Sequence, residues 1–72
     1  MMLPRRLYKL YNEVTALEEG IFTTKRDLNQ ALSGLTVEQG PYEVVEYKFH
    51  KNRNRYVSVN SWSPELKYED ER

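Results

Sequence analysis

"LYKLYNEVTALEEGIF", residues 7–22, decides the fold of this 72-residue chain, because its pattern satisfies two incompatible readings. Leu3, Leu7, Leu10, Val14 and Leu17 fall on one stripe of a helix, with Pro4 at a first-turn position and Gly20 as a stop. That helix would carry Arg5 and Arg6 at its positive end and Glu18 and Glu19 at its negative end, each unfavourable by roughly 0.3–1 kcal/mol. Strand chemistry competes: "LYKLYNEVT" is rich in Tyr, Val and Thr, and the short apolar "GIFTT" supplies a hairpin mate. The strand reading is favoured. It predicts an α+β class with a small antiparallel sheet in the order β-hairpin, helix, β-hairpin (ββαββ) and the helix packed on one face. The alternative is two helices followed by a β-hairpin.

Outward from this stretch the signals are clearer. "FTTKRDLNQALSGL" reads as a helix, with Thr23 or Thr24 accepting from the first-turn N–H groups. Leu28, Ala31, Leu32 and Leu35 follow at helical spacing, and Gly34 is expected to end the helix as a left-handed residue. After "TVEQGP", an extended run from Tyr42 to His50 places Val45, Tyr47 and Phe49 on one side, with Tyr42, Glu43, Val44 and Glu46 supplying an edge and the opposite face. "KNRN" makes a polar turn, in which Asn52 and Asn54 suit left-handed conformations, and "RYVSVNSW" returns as the second strand. The expected core is Leu28, Ala31, Leu32, Val45, Tyr47, Val57 and Val59. Residues 1–63 are expected to form a single small α+β domain, and residues 64–72 an acidic, flexible tail.

"GIFTTKRDLNQAL" followed by "GPYEVVEYKF" resembles a pattern in small proteins of phages and mobile elements. There a strand ends in Gly-x-Phe/Tyr-Ser/Thr-Thr/Lys, a helix follows, and a strand of the form Tyr-x-Val-x-Glu-Tyr returns. The resemblance covers roughly Leu7 to Phe49. The chain is also similar in outline to small phage inhibitors of host RNA polymerase, although no motif matches their contact residues. What the resemblance implies is a genome-encoded modulator that acts on a host protein by binding it.

Composition narrows the chemistry. With no cysteine and a single histidine, His50, neither a disulfide nor a Cys/His zinc site is available, and no metal or cofactor is expected. A cysteine-free chain whose start, "MMLPRRLYKLYN", is too charged for a signal peptide points to the cytoplasm, and no apolar run approaches membrane-spanning length. An enzyme is not expected. There is no Gly-rich phosphate loop, Ser58 and Ser61 have no neighbouring base, and Glu43 and Glu46, three apart on a strand, point to opposite faces. His50 reads as a residue at a strand end.

Two binding readings remain. Six Tyr and one Trp are more than so small a core can bury, and Tyr, Trp and Arg are the types enriched in interface hot spots. Tyr47, Phe49, Arg53, Arg55, Tyr56 and Trp62 are therefore the expected contacts to a partner protein. The edge at Tyr56 to Ser61 offers strand addition, and with it a homodimer. The alternative is a nucleic-acid contact through the basic tip from Lys48 to Arg55, next to Tyr47, Phe49 and Tyr56. Zero net charge, and the nearby Glu43, Glu46 and acidic tail, weigh against it.

Overall fold

The computed structural model describes residues 3–69, in which four strands form one open antiparallel sheet with a single α-helix on one face. Strands β1 (Arg6–Asn12) and β2 (Leu17–Phe22) form the first hairpin, helix α1 spans Lys25–Leu32, and β3 (Tyr42–His50) and β4 (Arg55–Trp62) form the second. The spatial order is β2-β1-β3-β4, so β1 and β3 are central and β2 and β4 are edges. Residues 7–22 thus take the hairpin reading, and the two-helix alternative is ruled out for this arrangement. The helical stripe is broken up: Leu3, Val14 and Leu17 are 57%, 72% and 63% exposed, whereas Leu10 turns inward with its alternate neighbours Tyr8 and Asn12.

Asn12 explains why the first hairpin turns where it does. Its Oδ1 accepts from Val14 N (2.9 Å) and Thr15 N (3.2 Å), and its Nδ2 donates to the Gln39 carbonyl (3.1 Å). A buried polar side chain is therefore fully used in setting the turn. Ala16 closes the turn with φ 61°, its N–H donating to Asn12 O at 2.8 Å. In the second hairpin, Asn54 adopts φ 53°, the left-handed conformation expected of it; Asn52 does not have a positive φ.

Helix α1 begins at Thr24, whose hydroxyl accepts from Asp27 N at 3.1 Å. It ends differently from expectation. Gly34 is not left-handed; the last turn tightens through Gly34 N to Ala31 O (3.2 Å) and Leu35 N to Leu32 O (3.0 Å). A short 3-10 turn at Val37–Gln39 and a cis Gly40–Pro41 bond lead into β3.

The core lies between α1 and one face of the sheet, and consists of Tyr8, Leu10, Leu28, Tyr42 and Val44, with Phe22, Leu32, Leu35, Trp62 and Leu66 packed around it. This corrects the expected core on one point of phase. Helix α1 covers the Tyr42, Val44, Glu46 side of β3, so Val45 and Tyr47 belong to the opposite face, and Val59 is 50% exposed. Ala31, Leu32 and Val57 are half-buried, leaving Leu28 as the one expected core residue that is fully enclosed. The physical reason is Glu46. It is buried because the Arg6 guanidinium on the neighbouring strand bonds its carboxylate, so a charge that reads as a solvent marker sits on the core side.

Residues 64–69, expected as the start of a flexible tail, lie against the connection after α1. Leu66 packs on the core, Lys67 bridges Thr36 in parallel, and Val37 N donates to Lys67 O at 2.9 Å. Residues 1, 2 and 70–72 lie outside the described residues. Among the described residues no helix is long and apolar enough to cross a membrane.

Candidate docking face

A sheet has two faces, and among the described residues only one is covered by another element. On the other, the pairing register arranges side chains in four rows running across the strands. At one end Arg5 lies beside Phe49, its carbonyl accepting from Phe49 N at 2.9 Å, and Phe49 stands opposite Tyr56. The next row is Leu7, Tyr47 and Ser58. The third is Ile21, Lys9, Val45 and Ser61. The last is Glu18, Tyr11 and Glu43. The middle two rows are largely apolar and the outer two carry aromatic rings with opposite charge.

Local contacts fix these side chains in place. The Phe49 and Tyr56 rings meet edge to face at 5.2 Å, and the Tyr56 hydroxyl donates to Pro4 O at 2.6 Å. Lys9 Nζ sits 3.5 Å from Glu18 Oε1 and 5.1 Å from the Tyr47 ring centroid, a salt bridge and a cation–π contact at once. The Tyr11 hydroxyl bonds that of Tyr47, and this bond, with desolvation and the nearby Tyr47 and Glu18, pushes its pKa up to about 12. Ordered aromatic rings lose little further entropy on docking.

The topology also sorts charge by position. Arg5 and Arg6 open β1, Lys48 stands opposite Arg6, and Lys51, Arg53 and Arg55 form the adjoining hairpin tip. Lys25 and Arg26 start α1 just beyond Phe22, which is level with Tyr8 at that same end. The far end gathers Glu13, Glu18, Glu19 and Glu43 around the first turn, with Glu38 nearby and Glu65 and Glu69 beyond the end of β4. A net charge of zero is thus an electric dipole along a molecule 47 Å long.

Of the six expected contact residues, Tyr47, Phe49 and Tyr56 come together on the uncovered face, and Arg53 and Arg55 stand beside it at the exposed tip. Trp62 does not join them. It faces α1, with its ring 6.5 Å from that of Tyr8 at 71°. Sequence reasoning missed Leu7, Lys9, Tyr11 and Ile21, and placed Val45 in the core. The alternation of Leu7, Lys9 and Tyr11 with the buried Tyr8, Leu10 and Asn12 was the signal that marks them.

Among the described residues no group of three His, Cys, Asp or Glu side chains is placed to hold a metal ion. His50 Nδ1 accepts from Arg53 N at 3.3 Å within the hairpin turn, a structural use of the only imidazole. Comparison with known protein families, curated proteins and solved structures finds no match to this chain.

Proposed function

We propose that this protein is a non-enzymatic binding module that docks another protein on the uncovered face of its sheet. The observation that carries the reading is the face itself: Leu7, Tyr11, Ile21, Val45, Tyr47, Phe49 and Tyr56 gather around Lys9 into an apolar and aromatic surface that no other element of the described residues covers. Small domains bury one face of each sheet against another layer, and an aromatic face left open is where a partner supplies that layer. The resemblance of residues 7–49 to phage and mobile-element proteins adds that the target is a host protein, met in the cytoplasm and modulated by binding.

The test is affinity capture from cell lysate with wild type and with Val45→Glu, which places a charge at the centre of the face. Capture that disappears in Val45→Glu, in a protein whose circular dichroism is unchanged, supports the reading. Capture undiminished by the substitution refutes it.

The basic end favours a second reading, nucleic-acid binding. Lys48, Lys51, Arg53 and Arg55 stand together around the second hairpin tip, a concentration of like charge that a phosphate backbone would relieve. Changing Lys51, Arg53 and Arg55 together to Gln would then abolish a gel shift with generic DNA or RNA and cut the salt slope by roughly three units. A wild-type protein that shifts neither nucleic acid at physiological salt removes this reading.

A further inference from the structure

The face carries enough detail to say what chemistry fits it. We propose that the uncovered face is closed by a second copy of this chain, stacked face to face about a twofold axis that runs perpendicular to the strands. This rests on the reading of the face as a protein-docking surface and names what holds it when no other protein is bound there.

Two twofold arrangements bring such faces together, and charge chooses between them. An axis along the strands would lay basic end on basic end. An axis across them lays each basic end on the acidic end of the other copy, and it does so row by row. The row of Arg5, Phe49 and Tyr56 then faces the row of Glu18, Tyr11 and Glu43 of the second copy, bringing Arg5 to the carboxylates. The apolar rows, Leu7 with Tyr47 and Ile21 with Val45, meet each other at the axis. Lys9 enters this centre with its charge already met by Glu18 and the Tyr47 ring.

One arrangement therefore accounts for the open face, the basic end and the acidic end together, and zero net charge leaves no overall repulsion between copies. The area is adequate. Strands about 25–30 Å long and about 4.8 Å apart give a face of roughly 500 Å², and two such faces remove on the order of 1,000 Å² from water, where specific association begins. The result is a two-sheet sandwich flanked by the two helices.

Sedimentation velocity of the full chain over about a hundredfold range of concentration tests this. The expected result is a monomer–dimer equilibrium that Val45→Glu shifts to monomer. Two charge-reversal variants give a sharper result and are expected to fold. Arg5→Glu, and separately Glu43→Lys, should each weaken dimerisation by about tenfold or more. Mixed together, the two variants should form a heterodimer, because each supplies the charge the other has lost. A chain that stays monomeric throughout overturns the proposal, as does a mixture that fails to associate. A dimer indifferent to Val45→Glu also overturns it, and points to pairing at the β4 edge. If the chain is monomeric while Val45→Glu still loses a captured protein, the second copy is refuted and the docking reading stands; if capture too is unaffected, both fall.

Discussion

Val44 and Val45 are adjacent in sequence and opposite in fate, which makes them a controlled comparison. Val44 is fully enclosed between the sheet and Leu28, whereas Val45 is half-buried in the middle of the uncovered face. Both pair within the same strand, Val44 with Leu10 and Trp62 and Val45 with Lys9 and Ser61, so the loss of β-propensity on changing either to Ala is shared and cancels. What remains is packing. Val44→Ala removes buried methyl groups and leaves a cavity, at a cost of about 2–3 kcal/mol. In a chain this size that lowers the melting temperature by roughly 10–20 °C. Val45→Ala deletes surface that water already reaches, and should cost under ~1 kcal/mol. The assay is thermal unfolding followed by circular dichroism, at low protein concentration and high salt so that both variants are compared as monomers. Equal destabilisation of the two, or a larger effect at Val45, would refute the assignment of faces.

Other substitutions probe single features of the chain. Ala16→Gly relieves a left-handed backbone and should stabilise by about 0.5–1 kcal/mol after the entropy cost of glycine, raising the melting temperature by a few degrees. Thr24→Ala removes the cap on Asp27 N and should cost about 1 kcal/mol, which a denaturant titration would resolve. Alkaline titration of tyrosinate absorbance should show Tyr11 ionising near pH 12, and Tyr42 later than an ordinary tyrosine because burial and the Glu19 charge raise its pKa. Above pH 10 the unfolded chain loses these protons first, so their contribution to stability should decline as pH rises through that range, and Tyr11→Phe should remove its share.

How much of this was legible in the sequence varies from element to element. Residues 7–22 gave their strand character away through Tyr8 and Tyr11 and through helix-end charges of the wrong sign, even though the leucine spacing pointed the other way; Val14 and Thr15, read as strand formers, lie in the turn. Helix α1 was readable from Thr24 to Leu32 because its cap and its apolar spacing agree. The phase of β3 was not. Val45, Tyr47 and Phe49 form the more apolar set of alternate residues, and the buried set contains Glu46, whose partner Arg6 lies 40 residues away. Trp62 lies on the covered side for the same reason, since it follows the phase of Val44. The charge dipole was hidden because blocks of like charge far apart in sequence become neighbours only once β1 and β3 run antiparallel.

The central claim, that one face of the sheet is covered by α1 and the other is open for docking, is tested most directly by methyl NMR with a soluble paramagnetic probe. In dilute protein the Val45 methyl signals should broaden while those of Val44 stay sharp, and on concentrating the sample the Val45 signals should become shielded as the second copy covers them. Val45 signals already shielded in the dilute monomer, or Val44 signals broadened as strongly as those of Val45, would contradict the account.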